Sequence, residues 1–286
     1  MMQKLKNIGI IAFEKKKEIE ETIQGIVSHP DFIENRFYVD RNTLVHKIVG
    51  LEGLISKAFL EKIDVLVSFG GDGTFISAAR LVRGTGIPLI GVNMGSLGFL
   101  TDIPVSGVAE ALRKILHGHY SKEMRLMFDV AVKRKGKSIV KEICLNDAVI
   151  KGNRLLKLTV SFGDELVSAY NADGLIVATP TGSTAYSMAS GGPILYPTLK
   201  CAIITPICSH SLTQKPIVSS IKRAITIRIN DSRVKASLIV DGKNDYPLCD
   251  NDEVTISYSR CKTVLLKPKG ITYFQVLRKK LNWGSD

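Results

Sequence analysis

Cysteine is scarce and gives no pairing pattern. The five present, Cys144, Cys201, Cys208, Cys249 and Cys261, are odd in number and include no C-x-x-C spacing. That excludes a disulfide framework and a zinc ribbon, and it points to a reducing compartment. Long apolar runs are missing too. Residues 84–101 and 174–199 are uncharged, but the first holds five glycines and the second three prolines, four glycines and seven Ser/Thr. Neither is the stretch of about 20 predominantly apolar residues that a membrane helix needs. The apolar run near the start is too short for a signal peptide and has no small-residue cleavage site. The expectation is a soluble, cytoplasmic protein without a membrane partner.

Familiar nucleotide and hydrolase signatures are also missing. No G-x-G-x-x-G occurs: Gly70-Gly71-Asp72-Gly73 and Gly95-Ser96-Leu97-Gly98 both fail the spacing. No G-x-S-x-G elbow occurs. Gly136-Lys137-Ser138 looks like the end of a Walker A loop, but Ala131 stands where the first glycine belongs, inside what reads as a hairpin. Histidine adds little. His117 and His119 flank Gly118 at a predicted helix C-terminus, where the helix dipole explains a cation. His210 between two serines has no supporting context, and no spacing suggests a metal site.

What the chain does have is a core and a charge. Its 286 residues are 45% hydrophobic and 23% charged, which excludes a largely disordered chain. Thirty-nine Lys+Arg against 27 Asp+Glu leave a net +12, suited to acidic partners (nucleic acid, anionic lipid or phosphorylated small molecules) without choosing among them. The basic runs at 133–137 and 278–280 lack interleaved aromatics, so they read as solvated surface rather than a nucleic-acid platform.

Through the first hundred residues strand and helix signals alternate, with strands at 8–13, 65–69 and 88–92 and helices at 14–27 and 75–82, and a further helix follows at 108–116. This predicts a parallel sheet with covering helices. Beyond that the period shortens, with strands predicted at 128–132, 138–143, 156–162, 166–170, 175–179, 225–229, 237–240 and 254–258. The fold class is therefore an α/β N-terminal domain followed by a β-rich C-terminal domain, with a boundary near 101–121.

Three local patterns carry chemistry. Phe69-Gly70-Gly71-Asp72-Gly73-Thr74 lies between a predicted strand and a predicted helix, where open α/β sheets place ligands. Glycines there expose backbone N–H groups to phosphate oxygens, and the carboxylate suits a hydroxyl proton or Mg²⁺ rather than a phosphate. The plain alternative is a tight turn with Asp72 capping the helix. Residues 170–193 form the second pattern: Asp173-Gly174, then Thr179 to Ser187, then Gly191-Gly192-Pro193. No charge occurs from Gly174 to Leu199, so this segment folds inward and offers amides and hydroxyls to a neutral polar ligand, or packs at a subunit interface. The third is Asn146-Asp147, an amide beside a carboxylate that suits ribose hydroxyls or simply forms a turn.

Together these motifs resemble the NAD kinase (ATP-NAD kinase) family. GGDGT at 70–74, ND at 146–147, ADGL and TPTGSTAYS within 172–187, GGP at 191–193 and SLTQKPIV at 211–218 stand in the family's order and approximate spacing. The resemblance spans roughly residues 64–245. It implies an α/β domain of about 1–104 with a returning tail of about 261–286, a β-rich NAD-binding and oligomerisation domain of 105–260, and an active site between them. It implies that Asp72 accepts the proton of the adenosine 2′-hydroxyl of NAD as that oxygen attacks the γ-phosphate of Mg²⁺-bound ATP. Gly71, Gly73 and Thr74 would shape the phosphate loop, and Asn146 and Asp147 would hold the dinucleotide. Asp173, Thr184, Ala185, Tyr186 and Ser187 would contact its two ends, in a homodimer or homotetramer.

The chain departs from the family pattern at Asp147, usually Glu, at Lys215, commonly Arg, at Asn171-Ala172, where Arg often precedes the Asp, and at Ala189, often Ser. Two other readings of the residues are a lipid kinase, which shares GGDGT but leaves TPTGSTAYS unexplained, and a non-catalytic NAD(P)-binding regulator.

Overall fold

The computed structural model describes residues 5–13, 16–43, 48–230 and 235–284, without the Asn244 side chain. The chain divides into two compact units, Met1–Met124 with Thr263–Asp286, and Arg125–Lys262.

The first unit alternates strand and helix. Its strands are β1 (Asn7–Ile11), β2 (Arg36–Asp40), β3 (Leu51–Leu54), β4 (Val65–Gly70), β5 (Leu89–Asn93) and the two-residue β6 (Ile103–Pro104). Its helices are α1 (Lys17–Val27), α2 (Ser56–Lys62), α3 (Asp72–Leu81) and α4 (Val108–Leu116). These strands pair in parallel in the order β3-β2-β1-β4-β5-β6. Every residue of β4 and β5 is buried, as a parallel sheet covered on both faces requires. The order reverses at β1, and such a switch point opens a crevice beyond the carboxyl ends of the strands. Gly70 and Asn93 end β4 and β5 as register partners, so the loops that follow them start side by side. The amphipathic face of α1 buries Ile19, Ile23 and Ile26, as the spacing predicts; Glu14 and Lys15, at the start of that predicted helix, lie outside the described residues.

Antiparallel strands build the second unit: β7 (Tyr120–Arg134), β8 (Lys137–Cys144), β9 (Asp147–Phe162), β10 (Glu165–Ala178), β11 (Cys201–Ile207), β12 (Ile217–Ser220), β13 (Ile225–Ile229), β14 (Ala236–Val240), β15 (Lys243–Leu248) and β16 (Glu253–Pro268), with the short α5 (Tyr186–Ala189) after β10. The order is β12-β11-β10-β9-β13-β16, with β14 also on β9, β15 on β14, and β7 paired to β8. The basic run at 133–137 is a hairpin tip: Lys135 and Gly136 both take positive φ between β7 and β8. β9 bends. Its first half pairs with β14 and its second half with β13. At the bend a Cβ on Gly152 would lie 2.6 Å from the Arg154 carbonyl oxygen and 2.7 Å from the Leu156 side chain. Opposite the bend, β10 runs unbroken where two separate strands are predicted, with an irregular register between Ala172 and Gly174. One apolar cluster containing Phe128, Leu158, Tyr170 and Ile227 fills this unit. In the first unit, the last residues of β16 pair with β5 at Leu265 and Leu89, and α6 (Tyr273–Leu281) follows with a Thr272–Gln275 capping box.

Candidate active site

In the first unit the chemistry gathers where β4 turns into α3. Gly70 has φ 154°, and a Cβ there would press on the Thr74 side chain, so the turn excludes other residues. Helix α3 begins at Asp72, three residues before its predicted start, because the N–H groups of Thr74 and Phe75 reach the Gly71 carbonyl. Gly71 is the N-cap, and Asp72 is the first helical residue rather than the cap. A Cβ on Gly71 or Gly73 would enter open space.

The Asp72 carboxylate is held firmly. Its Oδ1 accepts hydrogen bonds from the Leu100 and Thr101 N–H groups (3.0 and 3.1 Å) and from the Thr101 hydroxyl (3.0 Å). Its Oδ2 accepts one, from the Phe99 N–H at 2.9 Å. Four donors converge on one side chain, and Oδ1 carries three of them. The loop that supplies them is itself organised by Asn93, whose amide donates to the Ser96 carbonyl and to Thr101 O and Oγ1, and accepts from the Gly95 N–H at 2.7 Å. Beneath the loop, Asp102 and Lys267 form a buried ion pair at 2.9 Å, with side chains only 3% and 5% exposed.

A second cluster lies in the other unit. Leu145 and Asn146 join β8 to β9, which Asp147 opens. The Leu145, Asn146 and Asp147 N–H groups all donate to the Asp241 carboxylate, at 2.9, 2.7 and 3.2 Å. Asp241 sits at φ 51° in the turn between β14 and β15. The turn after β10 packs on the same backbone: Thr179 N–H donates to the Asn146 carbonyl and Thr179 Oγ1 to the Leu145 carbonyl. Gly182 lies so near that a Cβ would overlap Asn146 backbone atoms. Asn146 Oδ1 and Thr181 Oγ1 are buried without hydrogen-bond partners among the described residues, and such orphans in a polar recess are natural ligand contacts. Burial, and then the Asp241 charge, push the Asp147 carboxyl up to about 7.

The remaining predicted residues divide by exposure. Thr184 and Ala185 are half-buried and Tyr186 is exposed, next to this turn. Asp173 is exposed at the irregularity opposite the β9 bend. Ser187 is fully buried, its hydroxyl 2.9 Å from Thr205 Oγ1 and its carbonyl accepting the Gly192 N–H. Sequence reasoning passes over Asn93, Gly98, Thr101 and Asp241. Gly95-Ser96-Leu97-Gly98 is weighed there only as a dinucleotide fingerprint. Asp241-Gly242 between two β runs is a hairpin signal, but nothing local says what its carboxylate holds.

Comparison with known proteins decides what these clusters belong to. A family model for the ATP-NAD kinase N-terminal domain matches residues 15–120, and one for the ATP-NAD kinase C-terminal domain matches residues 145–267. An NAD kinase of Desulforamulus reducens is 36% identical over 282 residues, 97% of each chain. The chain belongs to the NAD kinase family. An NAD kinase of Laribacter hongkongensis is 35% identical over 98% of this chain and 97% of its own. Two solved structures share the fold. Yeast NADH kinase complexed with NADH superposes with a TM-score of 0.87 at 24% identity, covering 100% of this chain and 90% of its own. An Archaeoglobus fulgidus NAD kinase in complex with ATP gives 0.72 at 23% identity, over 96% and 98%.

Within the NAD kinase family match, the first unit's Asp72 cluster falls in the N-terminal model and the Asn146–Asp147–Asp241 cluster in the C-terminal one. Because the C-terminal match takes in the whole TPTGSTAYS segment, the lipid-kinase reading is not favoured. Among the described residues no helix is long and apolar enough to cross a membrane.

Proposed function

We propose that the chain transfers the γ-phosphoryl group of ATP to the adenosine 2′-hydroxyl of NAD, giving NADP and ADP, with Asp72 as general base. The hydroxyl oxygen forms the new bond to phosphorus, the bond to the ADP oxygen breaks, and the hydroxyl proton passes to Asp72. The observation that carries this is the uneven bonding of the Asp72 carboxylate. With three donors on Oδ1 and one on Oδ2, the group is fixed in orientation while Oδ2 keeps room for a further donor. Open space beside Gly71 and Gly73 gives phosphate oxygens access to the start of α3. Phosphoryl transfer asks for positioning and charge neutralisation rather than covalent help, which suits a rigid carboxylate in a basic protein.

Asn146, Asp147, Thr184, Ala185, Tyr186 and Asp173 are the residues we assign to the dinucleotide. Mg²⁺ or another divalent cation enters with ATP. Such a cation is held mainly by the ATP phosphates. We further propose a homodimer or homotetramer. Ile217 and Val218, 37% and 46% exposed on the end strand β12, with exposed Leu212 nearby in sequence, offer an apolar edge for a second copy. A cytoplasmic location suits the five free cysteines.

The test is NADP formation from NAD⁺, ATP and Mg²⁺, read with an NADP-specific dehydrogenase, with D72N alongside. Signal from the wild type that disappears in the variant establishes the reaction and its base. NAD binding without turnover by folded wild-type protein would leave a dinucleotide-binding regulator instead.

A further inference from the structure

The Asp241 carboxyl of the β14–β15 turn meets the β8–β9 turn beside Asp147, and the backbone there gives its donors to Asp241 alone. Asp241 accepts three consecutive backbone N–H groups, including that of Asp147 itself. The Asp147 side chain, in a residue only 5% exposed, makes no hydrogen bond among the described residues. A carboxylate with three amide donors stays ionised, and a desolvated neighbour beside that charge is driven to its neutral form.

Among the described residues, the strands paired at Asp147 and Ala148 meet them with uncharged side chains. β10 faces it with Ala178, β14 meets the adjoining Ala148 with Val240, and the turn at 179–183 supplies hydroxyls alone. The charged side chains Lys151, Asp173, Lys243 and Asp245 on the surrounding strands are exposed, and Glu142 on β8 accepts the Tyr246 hydroxyl.

We propose that Asp241 is a positioning residue for dinucleotide recognition: it fixes the Asn146–Asp147 backbone, and its charge adds to burial in keeping the Asp147 carboxyl protonated until ribose hydroxyls of NAD supply the missing donors, so that NAD binding expels a proton. The inference rests on the reading of Asn146 and Asp147 as NAD contacts. The shift of Asp147 to about 7 agrees with the geometry. A buried carboxyl without donors holds its proton. Two hydroxyls donating to it stabilise the ionised form, and the proton goes to solvent. The short aspartate side chain keeps the Asp147 carboxyl close to the backbone that Asp241 holds.

The test is calorimetric titration of the full-length protein with NAD⁺ in buffers of different ionisation enthalpy, from pH 6 to 8.5. Wild type is expected to release a substantial fraction of a proton per site near pH 6 and progressively less toward pH 8.5. D147N should bind without release at any pH. D241N should move the release to lower pH, leaving less at pH 6.5 than the wild type shows, because burial still acts on Asp147. Binding by wild type without proton release, release that survives in D147N, or an unchanged profile in D241N would each overturn the proposal. If D241N does not fold, D241S, also uncharged, replaces it and is judged by the same profile. An absence of NAD binding by folded wild type would instead sink the dinucleotide reading itself.

Discussion

Gly98 approaches the Asp72 carboxylate so closely that a Cβ on it would overlap Asp72 Oδ1 and Thr101 Oγ1. The contact joins the loop after β5 to the first residue of α3. Neither Gly98 nor Thr101 belongs to a motif, yet both determine where the proposed base points.

Replacing Gly98 by Ala is therefore expected to push Asp72 aside without unfolding the sheet beneath it. A misplacement of about 1 Å at a reacting group costs on the order of 10²-fold. The expected result for G98A is a fall in kcat of tenfold or more with a nearly unchanged melting temperature. Steady-state kinetics beside a thermal melt checks it, and a kcat within twofold of wild type would refute the coupling.

Asp72→Asn separates two roles of the carboxylate. An amide offers one acceptor oxygen, so Oδ1 can keep the Leu100 and Thr101 donors while Nδ2 turns a donor toward the Phe99 N–H. Loss of the base should lower kcat by about 10²–10⁴-fold. The donor–donor clash should also loosen the loop at 95–101, seen as faster cleavage there in limited proteolysis.

The buried Lys267–Asp102 pair predicts an asymmetry between single and double variants. Removing one partner, as in K267M, leaves an uncompensated charge and should cost about 3–5 kcal/mol. The K267M/D102L double variant should recover much of that loss. Lys267 Nζ also lies 3.9 Å from Glu123 Oε2, so the recovery is partial; chemical denaturation of both variants measures it, and a double variant weaker than K267M would refute the asymmetry.

Asp147 gives stability a pH dependence of definite sign. Its carboxyl is raised from 3.8 to about 7 in the folded chain, so the folded state binds the proton more tightly than the unfolded one. Its contribution is favourable to the fold below the ordinary carboxylate range. As pH rises from about 4 to 7 that advantage is lost and a penalty on the order of a few kcal/mol builds up. D147N removes the penalty: its gain in unfolding free energy should be largest near pH 8 and smallest near pH 4, as urea denaturation at the two pH values would show.

Much of this protein was legible in local chemistry. Alternating apolar runs and 3.6-residue periodicity gave β1, β4, β5, α1 and α4, because those signals depend only on neighbours in the chain. Motif order and spacing gave the NAD kinase family and placed Asp72, Asn146 and Asp147 in it. Other local signals misled. Two predicted strands proved to be the single β10, because its irregularity sits opposite a bend in β9, and a strand's partner lies elsewhere in the sequence. Helix α3 started earlier than its apolar period because its first turn is fixed by backbone bonds to Gly71.

Tertiary structure alone decided what the carboxylates proposed for the site are bonded to. The donors to Asp72 come from 27 to 29 residues away, and the amides held by Asp241 from 94 to 96 residues away. Sequence determines that a carboxylate, an amide and glycines are present and in what order. A hydrogen bond also needs direction and distance, and those exist only once the strands have paired. That is why the sequence could name Asp72 and Asp147, while only the folded chain shows that one is clasped by four donors and the other is left without any.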